Sequence, residues 1–399
     1  MEPTPSQTKQ KKRPYWPYWY IRGKLYDLTP WIEKHPGGAE FLQRCQGIDC
    51  TAAFEVHHLQ MHKAEVMLKK FEVSQTTVAP TSPWPQYDWS AYAKLRQRVV
   101  KRLHERGWRP GPSKRSLAIA IVAFIINLII PFIWSSLGLL AIPLGLLYAM
   151  NMIIMTGFGH AFLHLNTRLQ FFGDLGGFSS HTWKNEHCLE HHLYTNHPEY
   201  DSDVTKFDPL LNFSPSRSKP WQRYAVFYLF PLYASSFMLI RLVRPFEIIR
   251  DPKNWKTRTI WFFIGSFGWF ILWGVNGHLW TAVALECLSS FLFLSLTLSN
   301  HNHSTCHFAH FKHDFIKHQI DCCYDFGYCN YWYSCITSAF LGSQTLHHLF
   351  PTLDPEYFDV VESELKRMGY HYHRHSFWYA YWDHFRFISG RTPANGSKL

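Results

Sequence analysis

"LGLLAIPLGLLYAMNMIIMTGFGHAFLH", residues 137–164, carries no charged side chain and ends in two histidines one helical turn apart. Its uncharged part, 137–159, is long enough to cross a bilayer, which takes about 20 residues of helix. His160 and His164 stand at i and i+4, so a continuing helix carries both imidazoles on one face. A membrane span that ends this way delivers metal-ligand chemistry to the membrane boundary. The stretch before it, "LAIAIVAFIINLIIPFIW" (117–134), is also uncharged, and only a short turn separates the two. The pair reads as a hairpin. A basic helix over 91–116 leads into it, and Lys and Arg beside a span favour the cytosolic side. The hairpin returns His160 and His164 to that same side.

Three further apolar stretches follow, at 224–240, 259–275 and 278–299. The first contains Pro231 and ends in "RLVRP", so it is expected to lie in the interface. The other two are expected to cross, giving about four transmembrane helices. That parity puts residues 160–205 and those after 299 on one side. The formal charge of +11 then reflects membrane topology, and no nucleic-acid motif accompanies it. Hydrophobic residues make up 47% of the chain, yet the mean hydropathy is −0.19, so the apolar residues are concentrated in these segments. The start, "MEPTPSQTKQKKRPYW", has no apolar core and does not read as a secretory signal peptide. Nine Cys without a CxxC pair read as reduced thiols.

The histidines recur in clusters. "NEHCLEHHLYTN" (185–196) holds His187, His191 and His192. "QTLHH" (344–348) places Gln344 before His347 and His348. "SNHNH" (299–303) puts His301 and His303 just past the last span. A lone i,i+4 pair is more often a hydrogen-bonded pair than a ligand pair. Several such clusters on one side of a membrane argue for one multinuclear metal site. Imidazole suits Fe, Zn and Cu. About eight neutral ligands exceed the need of a single zinc, so two metals are the economical reading. Asn196, Asp201 and Asp203 are expected to orient ligating imidazoles. His181, His197, His307, His310 and His313 read as surface or supporting residues.

The first part of the chain is different. "YWYIRGKLYDLTPWI" (18–32) alternates like strands with a turn at Arg22-Gly23. "WIEKHPGGAEFLQRCQGIDCTAAFEVHH" (31–58) then carries His35-Pro36-Gly37-Gly38, where Pro fixes φ and Gly permits a tight turn, so that His35 projects from a loop. The expected organisation is a small domain over 14–73, a Pro/Ser/Thr-rich linker over 74–90, a membrane domain over 91–365 and a cytosolic tail over 366–399.

His35, Asp49, Thr51, Phe54 and His58 together resemble the cytochrome b5 family. The resemblance implies haem b held by His35 and His58, with His57 left open as the neighbour. Two axial imidazoles leave no open iron position, which suits electron transfer. The clusters HxxxH, HxxxHH and QxxHH resemble the histidine boxes of the membrane fatty acid desaturase and hydroxylase superfamily. That implies two non-haem Fe held by His160, His164, His187, His191, His192, His301, His347 and His348, with Gln344 and His303 as further candidates. Gln at the start of the third box marks the subgroup acting between an existing double bond and the carboxyl end. Ala161 stands where that subgroup has Asp, and the second box is one residue longer than its usual form. "HPGGAEFLQRCQGIDCTAAFEVHHL" and "LHHLFPT" are similar to the insect-type cytochrome b5-related fusions.

The fold implied is an α+β cytochrome b5-like haem domain followed by an all-α polytopic membrane desaturase domain. The implied function is insertion of a double bond into a fatty acyl lipid or acyl-CoA with O2, the haem domain being reduced by NADH-cytochrome b5 reductase. A lipid hydroxylase, or a haem protein with an inactive desaturase domain, are the alternatives. The implied location is the endoplasmic reticulum membrane, with the N-terminus and histidine clusters cytosolic and no nucleic-acid partner.

Overall fold

The computed structural model describes residues 17–73, 86–176, 180–214, 219–250, 257–305 and 312–390. The N-terminal unit begins with β1 (Trp19–Ile21) and β2 (Lys24–Tyr26), an antiparallel pair in the register Tyr20↔Leu25. The turn falls at Arg22 and Gly23 as expected, both at positive φ. Three short helices follow: α1 (Ala39–Cys45), α2 (Thr51–His57) and α3 (Met61–Leu68). They close over a small core of Trp19, Ile21, Tyr26, Phe54 and Leu68. Gly38 takes φ 102 at the N-cap of α1, a conformation open to glycine alone at no cost. It turns the chain directly after His35.

The basic helix α4 (Ser90–Glu105) is amphipathic: Tyr92, Leu95, Val99 and Leu103 are buried on one stripe. Its polar face is also engaged. Arg96 reaches the carboxylate of Glu55 in the N-terminal unit at 2.9 Å. The last residues of the segment read as a linker are already fixed, since Tyr87 is buried and its hydroxyl donates to Leu193 O at 2.7 Å.

The apolar hairpin is present. Helix α5 (Lys114–Ile133) and α6 (Ala141–His164) are joined by a bend at Gly138, and Asn151 Nδ2 donates to Ala123 O across them at 2.9 Å. Short helices α7 (Phe171–Leu175) and α8 (Ser180–Asn185) follow. Then come the apolar α9 (Ala225–Arg250), α10 (Thr257–Val275) and α11 (Leu279–Leu298). Trp134 meets Trp273 at 5.2 Å, and Ser135 Oγ lies 2.7 Å from His278 Nε2. The bend of the hairpin and the α10–α11 turn therefore share one end of the bundle. His164 and Ser299 lie at the other.

Among the described residues, Lys114–His164, Pro220–Val243 and Leu279–Leu298 are long and apolar enough to cross a membrane, while Phe263–Val275 is shorter. The first folds as two helices, so the count is about four. Its membership differs from expectation. The stretch 224–240, expected in the interface, packs along the bundle instead. It lies within α9, which runs antiparallel to α11: Tyr233 O accepts from Ser290 Oγ, and Arg241, two turns on, meets Glu286, one turn back. Arg241 of "RLVRP" is buried and bonds Glu286 on α11 at 2.6 Å. Pairing with a buried carboxylate keeps this arginine inside the bundle.

A polar layer closes the histidine end. It contains α12 (Phe315–Cys322), β3 (Asp325–Phe326), α13 (Tyr331–Ser338), α14 (Gln344–Leu349), α15 (Phe358–Arg367), β4 (Arg374–His375) and α16 (Phe377–Ile388). Strands β3 and β4 pair in parallel. Residues 366–390 of the segment read as a tail are thus built in, 391–399 lying outside the described residues: Asp383 accepts from Ser304, and His384 Nε2 lies 2.9 Å from Tyr233 OH. The eight cysteines among the described residues are free thiols.

Candidate metal centre

The last turn of α6 carries His160 and His164 into the polar layer, and its placement depends on Gly159. A Cβ there would collide with the backbone of Gly173 on α7, so the helix and the return segment pack backbone to backbone. The second cluster has a less common geometry. Residues Glu186–His191 form a π-helical turn, and His192 N donates to His187 O at 3.0 Å, five residues back. A π turn absorbs one extra residue without turning the side chains off the face. The additional residue of the second box is accommodated this way, and His187 Nε2 stays 3.0 Å from His192 Nε2.

Eight imidazoles converge in two groups. His160, His164, His187, His192 and His347 form one, and His191, His301 and His348 form the other; within each, the ligand nitrogens lie within 4.8 Å of one another. The doubled histidines explain the division. Adjacent residues on a helix point about 100° apart, so each His-His pair gives one ring to each group. His191 and His348 face the three-membered group, and His192 and His347 the five-membered one. The groups touch, with His192 stacked on His348 at 4.1 Å between centroids.

In the larger group, His160 Nε2 lies 2.6 Å from His187 Nε2, 3.0 Å from His347 Nε2 and 3.2 Å from His164 Nε2. One nitrogen with at most one proton cannot hydrogen-bond three others in this way. Two ligands at right angles on a metal with bonds of about 2.0–2.1 Å stand roughly 3 Å apart. The spacing fits a metal cage. In the smaller group the ring nitrogens have divided tasks. His191 Nδ1 donates to Asp201 at 2.9 Å, His301 Nδ1 to Cys322 O at 3.0 Å, and His348 Nδ1 to Gln319 Oε1 at 3.1 Å. The opposite nitrogens, His301 Nε2 and His348 Nε2, are buried with no hydrogen-bond partner. Ligating histidines show this pattern, one nitrogen held by an acceptor and the other free for the metal.

Electrostatics agree. Burial, and then the neighbouring imidazoles, push His187, His192, His347 and His348 well below the ordinary histidine pKa. These rings are neutral, as metal ligation requires. His191 is the exception: burial opposes its charge, but Asp201 and then Asp203 hold its pKa above the ordinary value. The Cys188 thiol between His187 and Leu189 is pushed up to about 12 by burial and stays protonated.

Gln344 is buried at the start of α14 and lines a pocket with His160, His187, His191, Phe293, Leu294, Leu298 and Leu341. One wall is imidazole and the other is the apolar face of α11. His303 joins neither group. Its Nδ1 lies 2.8 Å from Thr305 Oγ1, and its ring packs on Tyr324 at 4.5 Å. His301, on the preceding turn, takes the inward direction instead. His197 and His313 face other partners, Glu199 N and Gln86 O. His307 and His310 lie outside the described residues, as does the side chain of His181. Asn196, Asp201 and Asp203 lie beside the cluster. Asp201 bonds His191, Asn196 Nδ2 donates to His301 O at 2.9 Å, and Asp203 groups with His187 and His191. Sequence reasoning missed Thr195, just past the second cluster, and Gln319 and Cys322 on α12, remote in sequence; they hold His348 and His301.

In the N-terminal unit, His35 and His58 face each other with ring centroids 6.0 Å apart. Two imidazoles on opposite sides of one metal, bonded at about 2 Å, have roughly this separation. Each Nδ1 donates to a carbonyl, His35 to Gly38 O at 3.2 Å and His58 to Phe54 O at 2.9 Å, leaving each Nε2 for the space between. His57 points away: its Nε2 donates to Cys188 O at 3.0 Å and its ring stacks on Phe41.

Comparison with known proteins agrees with both halves. The Cytochrome b5-like Heme/Steroid binding domain profile matches residues 4–76, and the Fatty acid desaturase profile matches residues 134–381. The chain is 28% identical to the "Cytochrome b5-related protein" of Drosophila melanogaster, over 84% of this chain and 78% of that protein. It is 23% identical to the "Acyl-lipid (8-3)-desaturase" of Mortierella alpina, over 91% of each. It is 25% identical to "Fatty acid desaturase 3" of Homo sapiens, over 87% of this chain and 82% of that protein. No solved structure matches the chain. A family profile covering more than half the chain, laid over two groups of converging histidines, makes the assignment: the chain belongs to the fatty acid desaturase family of oxidoreductases and carries a cytochrome b5-like domain at its N-terminus.

Proposed function

We propose that this chain is a membrane-bound di-iron desaturase that introduces a double bond into a fatty acyl chain with O2, using electrons relayed through its own haem domain. The observation that carries this reading is the pair of imidazole groups opening onto one apolar pocket. His160, His164, His187, His192 and His347 would hold one iron, and His191, His301 and His348 the other. His35 and His58 would hold haem b. The irons, when bound, supply the oxygen chemistry needed to take hydrogen from an unactivated alkyl chain.

The protein's own groups do the rest. Phe293, Leu294 and Leu298 exclude water and receive the acyl chain beside the histidines. Asp201, Gln319 and the Cys322 carbonyl hold three imidazoles in a fixed tautomer with Nε2 turned inward. Gln344 offers an amide to the pocket wall where the other boxes offer imidazole, leaving room beside the larger group. Cytochrome b5 domains pass single electrons, so the haem needs a reductase, and NADH-cytochrome b5 reductase at the endoplasmic reticulum membrane is the partner this reading names. The N-terminal unit and the histidines would face the cytosol, with an acyl lipid or acyl-CoA as substrate and no nucleic acid involved.

The test is expression in yeast with lipid profiling and metal analysis. A new double bond, one haem and about two non-haem irons per chain are expected. An added oxygen would identify a hydroxylase on the same scaffold. Haem alone, without acyl product, would refute the reading.

A further inference from the structure

The N-terminal unit rests against the chain that links the first two histidine clusters. Asn166 Nδ2 donates to Pro36 O at 2.5 Å, within the turn that carries His35. Lys184 Nζ donates to Gly37 O at 3.3 Å and also to Asn166 Oδ1. Asn166 follows His164 by two residues and sits at φ 50, the left-handed region that asparagine tolerates better than most residues. That conformation ends α6 and aims the amide at the turn. The lysine is 1% exposed, and its ammonium lies 4.8 Å above the Phe41 ring. On the other flank His57 stacks on Phe41 and donates to Cys188 O. Cys188 Sγ lies 3.4 Å from His164 Nδ1. A buried lysine and a left-handed asparagine spent on two backbone carbonyls of another unit need a reason beyond local folding.

We propose that Asn166, Lys184 and His57 are positioning residues: they dock the His35 turn against the second histidine cluster and make His57, Cys188 and His164 a contact route between the haem crevice and the five-imidazole group. The proposal rests on the desaturase reading above. In each transfer one electron passes along this route, ferrous haem becoming ferric as a ferric non-haem iron becomes ferrous. No bond is made or broken, and a flavoprotein-type donor returns the electron to the haem.

The test uses the full-length holoprotein and two sets of variants, Asn166→Ala with Lys184→Gln, and His57→Phe beside His57→Gln. The glutamine keeps an N–H donor toward Cys188 O and serves as the rescue. Each variant is first checked for an unchanged Soret band and non-haem iron content. Two readouts follow: re-oxidation of pre-reduced haem in the presence of O2 and an acyl substrate, and backbone hydrogen exchange over residues 35–38 and 186–192. Without the dock the Arg96–Glu55 pair and the core that Ala52 and Val56 share with Tyr92 and Leu95 still hold the unit nearby, but the His35 turn is no longer fixed on the second cluster. Haem re-oxidation is then expected to slow about tenfold in the double variant and in His57→Phe, with faster exchange in both segments and near-normal behaviour in His57→Gln. Unchanged re-oxidation and exchange in the double variant would overturn the dock. If wild-type haem is not re-oxidised at all, the desaturase reading fails, and the exchange data still judge the dock.

Discussion

Removing the charge of Asp201 tests whether the smaller imidazole group is a metal site. Asp201 is buried and spends both oxygens near the cluster. Oδ2 accepts from His191 Nδ1 at 2.9 Å and from Asn196 N at 2.7 Å, and Oδ1 accepts from Asp203 N at 2.9 Å. In Asp201→Asn the volume is conserved, but one amide oxygen replaces two acceptors, so it keeps either Asp203 N or the His191 Nδ1 and Asn196 N pair. What is lost is the charge-assisted bond that sets the His191 tautomer, worth roughly 1.5–3 kcal/mol. Outer partners of this kind change metal affinity about 10–100-fold. The smaller group has three imidazoles and no spare, whereas the larger has five. The expected result is therefore asymmetric: one of two irons is lost to a chelator about 10–100-fold more readily, the other is retained, and the Soret band is unchanged. Chelator titration followed by iron and haem quantification provides the measurement. Wild-type retention of both irons would refute the role assigned to Asp201, and equal loss of both would refute the division into two groups.

Four further outcomes follow from the packing. His58→Ala is expected to abolish the haem Soret band, whereas His57→Ala keeps it, since only His58 faces His35; a reversed result in absorption spectra would reassign the axial ligand. Burial lowers the pKa of both His57 and His58 to about 4, so between about 6.5 and about 4 the unfolded chain binds more protons than the folded one, and stability rises with pH. In the haem-free protein, acidification through that window should lower the unfolding midpoint of the N-terminal unit, and a midpoint flat over about pH 6.5–4 would contradict it. Arg241→Met alone leaves Glu286 buried and unpaired, a loss of roughly 3–5 kcal/mol; Arg241→Met with Glu286→Leu should recover most of it in thermal unfolding in detergent, and a single variant as stable as wild type would show that the pair contributes nothing. Gly159→Ala should cost about 1–3 kcal/mol by overpacking α6 on α7 and lower iron content by displacing His160, which metal analysis after purification will show.

The spacing of apolar segments and of His within each cluster was legible because both depend on local periodicity. A helix puts His160 over His164 whatever surrounds it, and an uncharged run of that length has few other uses. Two things were not legible. One was the path of 224–240. Pro231 and the basic "RLVRP" argued for the interface, but Glu286, whose carboxylate makes Arg241 tolerable inside the bundle, lies far along the chain on another helix. A buried charge pair is a tertiary fact that neither segment shows alone. The other was the support of the cluster. Gln319 and Cys322 sit on α12, and nothing in "FIKHQIDC" announces that it faces "QTLHH".

The extra residue of the second box shows where local and tertiary reasoning meet. Counted as ordinary α-helix, His187, His191 and His192 would drift across the face, and the longer spacing would look like a defect. The π-helical turn restores the alignment, keeping His187 over His192 while His191 turns to the other group. Such a turn is unfavourable in an isolated helix. It persists here because Asp201 holds His191 from one side and His160 faces His187 from the other. The doubled histidines follow the same logic in 191–192 and in 347–348: neighbours that diverge by about 100° cannot serve one ion together, but they can each serve one of two ions a few ångströms apart. On the two-metal reading proposed above, the His-His dipeptide is a geometric consequence of building two adjacent sites from single helices.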